Sequence, residues 1–439
     1  MFGTPNQTVR MRKRPRHFAG SVCGSKWGRH SACQVVLVIL GALAAIPSPA
    51  QDTNFGFSVP MTVSAGGMYT ERLQYEGPAS PITGGFRAMF CPTLKLGSHW
   101  FAYSAVQVRL APYFYYDAYD GDHEFYNNVI QAYLGCSFRA GQTSVVLKAG
   151  RLTSALGSFP LRYDDVNNPL LDQPLQYISQ LSLTANQLPC GVKDLTSQEY
   201  GAVWFGCGGV PGWQNGLTPV TLYGLTGVEA DISGYGFDGR LQATSGSPAS
   251  PQGIRYADQY AQWTAGTGYT IFQGSRVGVS GFRGPYLDRA LANLLPIGTT
   301  VRDFPASAVG ADVQWARGHW SISGELQRFW YDLPNFVQSP SVTAGYGEVK
   351  SVLTPRFYLA GRVGWMKPGR VADNQGVSAA EFAPKMASYE FAAGCWLNRH
   401  QLLKVGYEWL DIQYQGGTHN NVLGVQLVTS IHALNWAFH

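Results

Sequence analysis

The chain has 439 residues, a formal net charge of +5, and only 13% charged side chains beside 52 Gly, 24 Tyr and 12 Trp. Charged residues are about half as frequent as in an ordinary soluble protein, which excludes an extensive water-facing surface. The positive charge excludes nothing by itself: residues 1–50 hold seven Lys and Arg and no acid, and the remainder has a net charge of −2, so nothing points to a nucleic-acid partner.

Residues 1–50 read as a secretory signal peptide. Arg10, Arg12, Lys13, Arg14 and Arg16 form a basic region, Gln34 to Ile46 an apolar core too short to span comfortably, and Ser48-Pro49-Ala50 a small-residue cleavage site. Residues 51–439 are then the exported chain. Beyond residue 50 no apolar run is long enough for a transmembrane helix. Alternation with period two recurs instead, which an extended backbone converts into two faces. Sixteen such segments are predicted, near 57–73, 82–97, 100–117, 125–139, 143–152, 218–232, 235–246, 259–272, 275–285, 305–316, 319–331, 341–352, 355–367, 388–397, 400–415 and 421–438. In the second, Phe86, Ala88 and Phe90 oppose Arg87 and Met89; in the thirteenth, Phe357, Leu359, Val363 and Trp365 oppose Arg356, Tyr358 and Arg362.

Short joints (GSH near 98, AGQ near 141, SGY near 234, QGS near 274, RGH near 318, NRH near 399) alternate strictly with long connections. A soluble sandwich has no reason to keep that rule. A transmembrane β-barrel has tight turns at one rim and long loops at the other, an apolar face toward lipid and a polar face toward the lumen. Trp100, Phe138, Tyr269, Trp315, Trp320, Phe357 and Trp436 gather beside the short turns, and Phe114, Tyr126 and Trp330 toward the long loops, as two interfacial girdles require. Arg328 is the exception, because parity sets it on the lipid face.

On these features the chain resembles Gram-negative outer-membrane porins of the sixteen-stranded type. The phrase LGSFPLRYDDVNNPLLDQPL is similar to stretches of phosphate- and carbohydrate-preferring porins. The resemblance implies an all-β fold, a single antiparallel barrel of about 16 strands, and a long loop after strand five that folds inward and narrows the pore. It implies passive diffusion of small hydrophilic solutes or ions, outer-membrane lipids and the barrel-assembly machinery as partners, a homotrimer as the usual assembly, and no cofactor. The ending IHALNWAFH resembles the C-terminal aromatic signal read by that machinery, with His439 following the expected last Phe.

Residues 153–217 form the longest connection and carry Leu170, Leu171, Leu175, Tyr177, Trp204 and Phe205. Such a segment is expected to pack rather than stay disordered, on the lumen wall or as an external cap. Its charges (Arg162, Asp164, Asp165, Asp172, Lys193, Asp194, Glu199) give −3, against +3 on the inward-facing wall. The expected constriction sets Asp164 and Asp165 opposite Arg87, Arg109 and Arg362, with Lys148, Glu229, Asp312, Glu325, Tyr103 and Tyr358 lining the lumen. Acid facing base across a narrow passage makes a transverse field that favours polar solutes. Cys190 and Cys207 bracket one non-repetitive segment and can pair in an oxidising compartment. No zinc-ligand spacing occurs. There is no GxSxG, and His99, His319 and His400 lie in short turns, so no enzyme is expected. The alternative is a structural or adhesive barrel without an open pore.

Overall fold

The computed structural model describes residues 55–71, 81–111, 113, 125–198, 201–246, 260–413 and 418–438, with backbone alone for Thr418 and 432–438. The expected signal peptide, Phe114, Glu199, His439 and the side chains of Trp436 and Phe438 lie outside that description.

The wall strands are β1 (Phe55–Thr70), β2 (Ile82–Phe90 and Thr93–Leu96), β3 (Trp100–Leu110), β4 (Phe125–Ala140), β5 (Thr143–Thr153), β6 (Tyr223–Gly234), β7 (Phe237–Thr244) and β8 (Gln262–Phe272). The second half comprises β9 (Ser275–Pro285), β10 (Pro305–Arg317), β11 (Trp320–Tyr331), β12 (Ser341–Val352), β13 (Phe357–Pro368), β14 (Lys385–Asn398), β15 (Gln401–Gln413) and β16 (Thr418–Phe438). Each pairs antiparallel with the next, and β16 returns to β1 from Phe55↔Phe438 to Thr70↔Val422. These sixteen strands are one closed barrel, and closure removes the free edges that an open sheet would expose to lipid.

Period-two patterning explains the strands, and burial follows it. Along β13, Phe357, Leu359, Val363 and Trp365 are 40–52% exposed while Tyr358, Arg362 and Met366 are buried. Large apolar groups on the outside and charged groups within is the inverse of a soluble protein, and it is the cheap arrangement when the outer solvent is hydrocarbon. Short joints turn on residues with positive φ, such as Gly141 (61°) and Gly318 (60°), where a Cβ would be strained. Proline marks two irregularities. Pro92 lies in the break of β2, and Pro60 lies at the register shift between β1 and β16; neither has an N–H for the ladder, so both sit where the ladder is already interrupted.

Inside the barrel, the connection between β5 and β6 contributes three single-turn helices, α1 (Phe159–Arg162), α2 (Leu175–Ile178) and α3 (Val192–Thr196). Its Leu156, Phe159, Leu175 and Tyr177 share one buried cluster with Phe329, Tyr346 and Met366 of the wall. The Phe159 ring stacks on Tyr163 and Tyr177 at 5.1 and 5.0 Å and meets Tyr346 edge-on at 6.0 Å. The hydrophobic core of this protein is therefore loop against inner wall, extended by Tyr286, Leu287 and Leu291 from the connection after β9.

Candidate functional site

Four charged groups of the wall hold the loop. Glu325 on β11 receives hydrogen bonds from the Ser158 N–H (2.8 Å), the Ser158 hydroxyl (2.9 Å) and the Phe159 N–H (2.5 Å), and from the Tyr177 hydroxyl (2.5 Å). Arg362 on β13 pairs with Glu348 (2.7 Å) and Glu390 (3.1 Å) and donates to the Asp172 carbonyl and Asn168 Oδ1, both at 3.0 Å. Lys404 on β15 donates to the carbonyls of Asp165 (2.8 Å), Asn168 (3.0 Å) and Leu170 (3.1 Å). Arg87 on β2 pairs with Asp165 at 2.8 Å, and Asp165 also accepts from the Ser64 and Tyr113 hydroxyls. Ions sealed from water are tolerable only when paired and hydrogen-bonded in this way. Burial pushes the Asp165 carboxyl up, but Arg87 and Lys404 outweigh it and hold the group below its usual range.

Shape supports the same docking. Leu171 sits over Gly406 of β15 and Gly424 of β16, where an added Cβ would come within 2.9 and 2.6 Å of its Cδ1. A side chain at either glycine forces the Leu171 side chain to move.

The loop does not fill the lumen. Along β1–β7 a cavity of about 430 Å³ remains, bordered by Arg87, Lys148, Glu229 and Arg240 of the wall and by Asp164 and Asp165 of the loop. Tyr103, Tyr133, Tyr163 and Tyr223 form much of its surface. Lys148 bridges Glu229 (2.6 Å) and Asp231 (2.5 Å), and Arg240 meets Asp231 at 3.3 Å. The half-buried Asp164 accepts from the Val166 and Asn167 N–H groups at 2.8 and 2.6 Å, so its own turn fixes it at the cavity margin.

Of the residues expected at a constriction, Asp164, Asp165 and Arg87 meet on this cavity, whereas Arg109 and Arg362 do not border it. Arg109 lies beside Arg87 in register, its guanidinium 4.7 Å over the Tyr126 ring. Arg362 is enclosed between loop and wall. Among the expected lining residues, Lys148, Glu229 and Tyr103 face the cavity; Asp312 pairs with Arg276 at 2.6 Å, Glu325 holds the loop, and Tyr358 donates to the Pro169 carbonyl at 3.0 Å. Arg240 and Tyr163 also border the cavity; parity sets Arg240 on the inward face of its strand but does not distinguish it from Arg362. Cys190 and Cys207 are disulfide-bonded.

A closed antiparallel barrel with an apolar exterior and a charged interior defines an outer-membrane β-barrel protein. More particularly, its fold is that of sixteen-stranded outer-membrane porins. It is similar to the outer-membrane channel DcaP of Acinetobacter baumannii (TM-score 0.51, 11% identity, covering 86% of this chain and 98% of that one). It is likewise similar to Salmonella typhi OmpF in complex with daunomycin (TM-score 0.51, 9% identity, 85% and 97% covered). A search against protein-family models and curated proteins finds no match for the sequence.

Proposed function

We propose that this protein is a channel for passive diffusion of small hydrophilic solutes, and that the route runs along β1–β7 between wall and loop. The observation that carries the reading is the charge-bordered cavity of about 430 Å³ beside the docked loop. Asp164 stands on its loop side and Lys148 and Arg240 on its wall side, while Arg87 and Asp165 border it as a buried ion pair. Opposed charges across a narrow, low-dielectric passage orient dipolar solutes and disfavour apolar ones. The reading includes export by residues 1–50 and a homotrimer as the working assembly. No step in it is enzymatic.

Single-channel recording in a planar bilayer tests it. A stable open current is expected, and Asp164→Asn is expected to move the reversal potential in a KCl gradient toward anion preference. A folded barrel that passes no current overturns the channel reading. That result favours a structural or adhesive barrel, for which the apolar cluster between loop and wall speaks.

A further inference from the structure

An Arg or Lys facing lipid costs about 2 to 4 kcal/mol at the bilayer midplane and about 0 to 1 near the interface. Three exposed cations, Arg283 on β9, Arg328 on β11 and Lys367 on β13, face outward from the wall, each close to where its strand enters a long connection. Register ties them into one belt. Arg328 lies opposite Thr343 of β12, which lies opposite Lys367. Arg283 lies opposite Ser307 of β10, which lies opposite Trp330, two residues beyond Arg328.

With strands about 4.8 Å apart, the belt spans about 19 Å of wall from β9 to β13. No ion pair among the described residues involves any of the three. The Arg328 guanidinium lies 5.2 Å over the Trp330 ring, and Trp263 lies opposite Arg283. Indole rings at this level mark the headgroup region, while Val309, Leu326 and Val363, all 46–56% exposed, continue the apolar face toward mid-membrane.

Cations with no ion pair among the described residues, beside interfacial indoles on a face turned to lipid, call for an anion supplied by the membrane. We propose that the outer face of β9–β13 binds the headgroup of an outer-leaflet lipid carrying more than one phosphate. Arg328 and Lys367 take its phosphates, Arg283 extends the contact, and Trp330 packs on the headgroup at the acyl boundary. Guanidinium and ammonium groups suit phosphate oxygens, with Arg adding a bidentate fork. The inference rests on the outer-membrane setting and is independent of whether the lumen conducts.

The test uses the full barrel reconstituted in phosphatidylcholine vesicles doped with bis-phosphorylated lipid A or its dephosphorylated form, with retained lipid read by native mass spectrometry. Wild type is expected to retain the phosphorylated form about tenfold better, and Arg328→Gln with Lys367→Gln to abolish that preference, with Arg283→Gln a smaller loss. Inorganic phosphate in solution is expected not to compete, which separates a membrane headgroup from a free anion. Equal retention of the two lipid forms by wild type overturns the proposal, as does undiminished preference in the double variant. Should the double variant fail to show the heat-dependent mobility shift of a folded barrel, Arg328→Gln alone and the wild-type comparison still decide.

Discussion

Arg362 on β13 and Lys148 on β5 are both inward-facing cations bridging two carboxylates, yet they stand in different surroundings. The Arg362 side chain is 0% exposed, with its remaining donors taken by the Asp172 carbonyl and Asn168 of the loop. Lys148 is 19% exposed and borders the open cavity. Along β11–β15, and at Arg87 on β2, charge fastens the loop; along β5–β7 charge lines the space the loop leaves. What separates a clamp from a lining is thus the third neighbour, loop backbone in one case and solvent in the other.

Substitutions that remove one partner at a time sharpen that contrast. The largest effect is expected for Arg362→Met, which leaves Glu348 and Glu390 buried without their cation and costs about 3 to 5 kcal/mol, read as a lower midpoint in thermal unfolding of the detergent-solubilised barrel. Lys404→Met removes the donor of three loop carbonyls; about 2 to 3 kcal/mol and a noisier, larger single-channel current are expected. Glu325→Gln keeps one acceptor oxygen but loses the charge and the second acceptor, so about 1 to 2 kcal/mol is expected, with the same readouts. Lys148→Met, on the lining side, is expected to cost 1 kcal/mol or about that while moving the reversal potential toward cations. If Lys148→Met destabilises the barrel as much as Arg362→Met, the division into clamp and lining fails.

Acid provides a gentler probe of the clamp side. The Asp165 carboxyl is held below its ordinary value in the folded protein, so its contribution is fully present above about pH 4 and is lost as pH falls further toward the folded value. The part of the stability that Asp165 supplies is expected to be flat from neutral pH down to that range and to decline below it. Asp165→Asn is expected to flatten this acid limb, a comparison that pH titration of the unfolding midpoint makes directly.

The wall was legible in the sequence because lipid leaves the chain few choices. Backbone groups must pair within the barrel and side chains must alternate, so period-two runs with short and long joints in turn specified the strands; β9 and β12 fall on their expected bounds, and β6 begins at Tyr223 rather than near 218. Parity identified Arg87, Arg362 and Lys148 as inward, and Arg328 as outward. It could not say which inward cation meets solvent. That depends on how the long connection folds back, and its one-turn helices have no amphipathic period to read. The pairing of Glu325 with the start of the loop was hidden for the same reason: Ser158 and Glu325 are 167 residues apart and joined only by tertiary placement. Gly406 and Gly424 look like ordinary strand glycines until register aligns them beneath Leu171.

The bond between Cys190 and Cys207 joins residues 17 apart in sequence, both within the connection after β5. It ties no strand to another, so the wall and the inner segment are fastened by separate means: ladders and closure for one, a local cross-link and four wall charges for the other. Reduction should therefore loosen the segment inside while the cylinder around it stays shut, and a reductant, which leaves the free thiols Cys91, Cys136 and Cys395 of the wall unchanged, becomes a way to address the interior of this barrel without touching its frame.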